Sequence, residues 1–163
     1  MIKVFTFDKH HESRGSAYTF FDEREISQPK FVQDKVSVSN YGVVRGFHGD
    51  ESTWKLVTCI HGAFRLVVYD VDAGYKQAIT LRSSSDMQKS VLIPPRHLNA
   101  HQCLTDECVF LYKWSEFYKG PEAQWSVHHD DPEIFPDWPT LITEVSERDR
   151  NAGTLKELKD SLK

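Results

Sequence analysis

The chain is predicted to be all-β, a barrel or sandwich of two sheets. Three observations lead there. Short runs of period two recur along most of the chain, separated by turn residues. The only clear helical period lies near the end, over 155–162. The composition, 39% hydrophobic and 12% aromatic in 163 residues, suits a chain that can bury one core. Taken in order, Met1 to Phe7 alternates and 31–39 alternates loosely. Residues 42–48 are strand-like, and 54–60 are apolar and β-branched. Gly62 breaks that run and 64–71 resumes it as Phe-Arg-Leu-Val-Val-Tyr-Asp-Val. Residues 78–81, 91–93 and 109–114 repeat the pattern. Three prolines between Pro132 and Pro139 predict an ordered loop lying over the barrel. Thr154 can cap a helix over 155–162, where Leu155, Leu158 and Leu162 share a face. With no repeat or low-complexity break, residues 1–163 are expected to form a single domain.

The net charge is -4, so no basic field calls for nucleic acid as a partner. A polyanionic ligand would need only a few convergent arginines. No apolar run approaches the roughly 20 residues of a membrane helix, and residues 1–7 lack the core of a signal peptide. A cytoplasmic protein without a membrane partner is expected. Cys59, Cys103 and Cys108 are odd in number and lack a framework spacing, so they read as reduced thiols.

The segment Val44-Arg45-Gly46-Phe47-His48-Gly49-Asp50 is the most informative for chemistry. Strict alternation would point Val44, Gly46 and His48 one way and Arg45 and Phe47 the other, unless curvature at Gly46 relaxes it. One histidine in a strand is usually structural. Here Arg45, His48, Lys55, His101 and Tyr112 all fall in or beside strands, and inward positions of a barrel converge on one cavity.

These residues also carry a resemblance. Glu12-Ser13-Arg14-Gly15, Phe31-Val32-Gln33-Asp34, Val44 to His48, Lys55-Leu56-Val57, Ile93-Pro94, Ala100-His101, Phe110 to Lys113, Tyr118, Asp130-Asp131-Pro132, Asp137-Trp138-Pro139 and Ser146-Glu147-Arg148-Asp149 follow one another in the order of the dTDP-4-dehydrorhamnose 3,5-epimerase family. The chain resembles that family over most of its length. Arg45 to Asp50, Thr53 to Cys59 and Asn99-Ala100-His101 are more similar to the branch acting on GDP-linked 4-keto heptoses. The resemblance implies a double-stranded β-helix (a cupin or jelly-roll barrel) with a short C-terminal helix. It also implies a homodimer with strand exchange, no cofactor, no metal, and a nucleotide-diphosphate sugar as substrate.

By the same resemblance, His48 is the base that removes the proton acidified by the C4 ketone, a task suited to neutral imidazole. Asp149 pairs with it, fixing the tautomer. Tyr112 returns a proton to the opposite face. Lys55 and His101 lie near substrate oxygens, where a cation or donor stabilises enolate charge. Arg14 and Arg45 contact the diphosphate or the sugar, and Gln33, Tyr118 and Gln124 complete the substrate contacts. Gln124 stands where the family has a glutamate, and Pro94 to His101 is about two residues longer than the family pattern. Two other readings stay open: a metal-dependent enzyme of this fold using His48, Asp50 and His101, and a non-catalytic sugar-binding module.

Overall fold

A computed structural model describes residues 1–163. Strands take up 48% of the chain and helices 9%, as the period-two pattern predicts. The strands are β1 (Lys3–Glu12), β2 (Gly15–Tyr18), β3 (Gln33–Asn40), β4 (Val44–Gly49), β5 (Lys55–His61), β6 (Ala63–Asp70), β7 (Tyr75–Arg82), β8 (Met87–Ile93), β9 (His97–Cys103), β10 (Glu107–Trp114) and β11 (Trp125–Ser126). Two short helices follow, α1 (Glu147–Arg150) and α2 (Leu155–Ser161). The strands form two antiparallel sheets, ordered β2-β1-β8-β5-β10-β3 and β11-β4-β9-β6-β7. The two face each other as the walls of a double-stranded β-helix.

Alternation sorts the side chains between inside and outside. Val57, Cys59, Phe64, Leu66, Val68, Leu81, Val91, Ile93, Cys103, Cys108 and Phe110 fill the space between the sheets. The outer face of the five-stranded sheet presents Phe47, Val67, Tyr69, Leu98 and Ala100, covered by Val127, Ile134 and Leu155 from the C-terminal segment. Asp131 ties that cover down. Its buried carboxylate accepts from the Ile134 N–H at 3.3 Å and the Leu155 N–H at 2.9 Å. The loop expected over the barrel is therefore present, with Ile134 as its plug. Helix α2 begins as predicted: Thr154 is the N-cap and forms a capping box with Glu157.

Sequence reading missed β2, β9, β11 and α1, and read only the first part of β1. Strand β9 carries His101, which was expected in or beside a strand although no run over 97–103 was read as one. At α1, residues 147–150 form one capped turn rather than an exposed charged run. Residues 143–145 run beside β4, with the Val44 N–H donating to the Glu144 carbonyl at 3.0 Å and a parallel bridge between Val44 and Val145. The Ser146 hydroxyl then accepts from the Asp149 N–H at 3.1 Å. That cap turns Asp149 inward, where it is 2% exposed.

Candidate active site

One end of the barrel opens into a cavity of about 490 Å³. Strand register dictates what faces it. On the six-stranded sheet, Gln33, Trp114, Lys55 and Ile93 lie side by side, and Lys35, Tyr112, Val57 and Val91 form the next row. On the facing sheet, His48 lies beside Asn99 and Arg45 beside His101. Arg45 and His48 are three residues apart yet both line the cavity. The register between β4 and β9 shifts between them, and this irregularity lets two functional side chains share one face. Gly46 makes it possible: its φ is 120°, and a Cβ there would sit 2.6 Å from both the Ala100 Cβ and the Asn99 carbonyl oxygen.

His48 Nε2 lies 2.6 Å from Asp149 Oδ1, and Asp149 Oδ2 accepts from the Gly46 N–H at 3.1 Å. Burial opposes charge on Asp149, but the bonds from His48, Gly46 and Ser146 outweigh it and hold the carboxyl below its usual range. An ionised carboxylate can only accept, so the neutral imidazole keeps its proton on Nε2 and leaves the Nδ1 lone pair free.

Tyr112 stands on β10, in the opposing sheet from His48. Burial raises its phenol pKa, Tyr118 adds to the rise, and Arg45 works against it. Such a group stays protonated near neutral pH and can act as a donor. Lys55 is 4% exposed; it donates to Asn99 Oδ1 at 3.0 Å and lies 5.2 Å from the centre of the Trp114 ring. Burial pulls its pKa down to about 8, Asp50 raises it, and Lys35 and Arg148 lower it.

His101 packs against Phe110 with ring centres 4.2 Å apart and against Phe64 at 5.4 Å. Burial drives its pKa down to about 3. It is therefore a neutral ring rather than a cation, and its buried Nε2 has no partner in the chain. The Arg45 guanidinium donates to Ser39 Oγ at 2.9 Å and to the Val38 carbonyl at 3.0 Å.

A family model described as dTDP-4-dehydrorhamnose 3,5-epimerase matches residues 2–157. The chain belongs to that family. It is thus an epimerase, an isomerase by class. A dTDP-4-dehydrorhamnose 3,5-epimerase of Methanothermobacter thermautotrophicus is 31% identical over 163 residues, covering 95% of this chain and 87% of that one. The enzyme of the same name from Escherichia coli is 31% identical, covering 90% and 85%. Among solved structures, a 4-keto-6-deoxy sugar epimerase from the novobiocin gene cluster of Streptomyces spheroides superposes with a TM-score of 0.90 at 29% identity, covering 98% and 85%. A Legionella pneumophila epimerase in complex with dTDP-4-keto-L-rhamnose gives 0.89 at 26%, covering 99% and 91%.

Within this epimerase, His48, Asp149, Tyr112, Lys55, Arg45, His101, Tyr118 and Gln124 all line the one cavity. Arg14 and Gln33 do not. Arg14 sits at the tip of the β1–β2 hairpin, its side chain 82% exposed and paired with Glu12, because that hairpin lies at the outer edge of its sheet. Gln33 faces inward, but its Oε1 accepts from the Tyr118 N–H at 2.7 Å. It positions the Tyr118 loop instead of lining the cavity. Sequence reading also missed lining residues: Lys35, Asn99, Trp114, Ser146 and Arg148. Lys35 and Trp114 could have been found from register, each being two residues from a named position on the same strand.

No three His, Cys, Asp or Glu side chains come together in an arrangement that could hold a metal ion. Asp50, the third ligand in the metal reading, lies outside the lining of this cavity and accepts through Oδ1 from the Ser52 and Thr53 N–H groups at 3.1 and 2.6 Å.

Proposed function

We propose that the protein inverts C3, C5 or both in a nucleotide-linked 4-keto sugar, with the sugar held between the two sheets. His48 removes the proton next to the C4 ketone, and the C–H electron pair moves into the carbonyl to form an enolate. Lys55 meets the oxygen on which that charge grows, and Asp149 offsets the imidazolium. The Tyr112 phenol then delivers its proton to carbon from the other side, and its oxygen recovers a proton from solvent, to which the His48 imidazolium returns the proton it took. The observation that carries the reading is the placement of the His48–Asp149 pair and Tyr112 on opposing walls of one cavity, since inversion requires removal and return on opposite faces.

Arg45, with Arg148 beside it in the lining, is assigned to the diphosphate; Arg45→Ala should weaken binding of a nucleoside diphosphate by about 1.5–3 kcal/mol. The relatives named above are called enzymes of dTDP-linked or 4-keto-6-deoxy sugars, so a dTDP-linked 4-keto-6-deoxyhexose is the first substrate to test. A GDP-linked 4-keto heptose is the second, on the strength of Arg45 to Asp50 and Thr53 to Cys59. We assign the enzyme to the cytoplasm, where sugar nucleotides are made. No helix is long and apolar enough to cross a membrane.

A homodimer completes the proposal. The edge strand β3 turns Val36 and Val38 outward, 56% and 48% exposed, and Arg14 lies outside its own chain's cavity. Strand exchange between copies would cover the valines and offer the arginine to a neighbour. Sedimentation giving a monomer at micromolar concentration would reject the dimer. For the chemistry, incubation in D2O with each substrate, followed by NMR at C3 and C5, should show deuterium entering and an epimer forming. Binding without exchange would instead make the chain a sugar-binding module.

A further inference from the structure

Four cationic side chains line the cavity: Lys35, Arg45, Lys55 and Arg148. Three of them have polar partners. Arg45 is held by Ser39 and Val38, Lys55 by Asn99, and Arg148 donates to the Pro121 carbonyl at 2.9 Å. Lys35 differs. Its Nζ rests 3.4 Å from the centre of the Tyr118 ring, 5.1 Å from Trp114 and 5.9 Å from Tyr112. No carboxylate acts on it; burial is the only influence on its charge, and it lowers the pKa.

An ammonium ion held by ring faces alone is stabilised by about 0.5–2 kcal/mol. A charge-assisted bond to a phosphate oxygen is stronger, and the four-carbon stem of lysine lets the head move between the two. Tyr118 lines the cavity, and Gln124, Arg45 and Arg148 share the same lining. The protein as a whole carries a net charge of -4, so this concentration of cations is local.

We propose that Lys35 is a binding residue for the diphosphate of the sugar nucleotide, leaving the face of Tyr118 to engage it and freeing that face for the ligand's own ring. The proposal rests on the substrate class argued above. It assigns Lys35 to specificity, since an uncharged residue on β3 at this position would leave the diphosphate to the arginines.

The test is calorimetric titration of wild type, Lys35→Met and Lys35→Arg with pyrophosphate, dTDP, GDP, thymidine and guanosine. Lys35→Met should raise Kd for pyrophosphate and for the preferred nucleoside diphosphate by about ten- to a hundredfold. Binding of the matching nucleoside should not change, and Lys35→Arg should stay within a few-fold of wild type. Unchanged diphosphate binding in Lys35→Met overturns the inference and leaves the proposed function standing. So does an equal loss for the nucleoside, which would make Lys35 a packing residue. Wild type that binds no nucleoside diphosphate overturns both. Circular dichroism checks folding, and Lys35→Gln replaces the methionine variant if that one fails to fold.

Discussion

The two ends of the barrel are built from the same strands and the same inward positions, yet they differ in kind. Toward the closed end β10 contributes Cys108, β5 contributes Cys59, and β9 contributes Cys103, all buried. Toward the open end the same strands contribute Tyr112, Trp114, Lys55 and Asn99. One end excludes water and supplies stability. The other keeps charged and hydrogen-bonding groups at a cost in desolvation, visible in the lowered pKa of Lys55. Function is therefore marked by where apolar alternation stops along a strand, more than by any single residue.

Substitutions at the two ends should separate these roles. His48→Asn should lower exchange and inversion by about 10² to 10⁴ with little change in thermal midpoint; a variant with near-normal turnover would remove His48 as the base. Phe64→Ala at the closed end should do the reverse. It should cost about 3–5 kcal/mol in chemical unfolding and leave turnover of the folded fraction within a few-fold.

Lys55 stands at the boundary, so Lys55→Met should move both quantities. Its pKa falls from 10.5 to about 8 on folding. The unfolded chain then holds this proton more tightly, and the contribution of Lys55 to stability improves as pH climbs from about 8 to about 10.5. Its charge, and with it enolate stabilisation, is lost over the lower part of that window. Wild-type activity should fall above about pH 8. Lys55→Met should lose activity, lose that alkaline limb, and gain about 1–3 kcal/mol in unfolding free energy near pH 7. A variant that is less stable and keeps the limb would refute this.

Tyr112→Phe should leave deuterium exchange into substrate largely intact while epimer formation falls further, because the ring still packs; an unchanged ratio of exchange to inversion excludes Tyr112 as the donor. The smallest effect is expected for Gln33→Ala. It should cost about 0.5–1.5 kcal/mol of stability through the lost bond to the Tyr118 N–H, and weaken ligand binding only through that loop.

The period-two pattern made the sheets legible, and Thr154 with its leucines made α2 legible. Strands β3 and β9 were harder for one shared reason: they are inside out. In β9, Asn99 and His101 face the cavity while Leu98 and Ala100 face outward, under the C-terminal cover. In β3, Lys35, Ser37 and Ser39 line the cavity while Val36 lies outside it, exposed to solvent. A rule that sends apolar residues inward misreads both. Asp149 was invisible to periodicity, because Glu147-Arg148-Asp149-Arg150 looks like a solvated run until the Ser146 cap turns it; the family resemblance alone pointed there. The common facing of Arg45 and His48 depended on the irregularity at Gly46, which alternation cannot express.

His48 and Asp149 are separated by 101 positions along the chain. All eleven strands leave the ribosome before Asp149 does. A nascent or C-terminally clipped chain can thus own a barrel and an imidazole yet lack the carboxylate that orients it. Such a molecule should turn ligand over poorly, which Asp149→Ala in the full chain, with Arg148 and the Leu155 cover retained, would reveal if assayed for both binding and turnover. On the proposed mechanism the His48–Asp149 pair can therefore form only after the last strand has been made and residues 146–149 have docked beside β4.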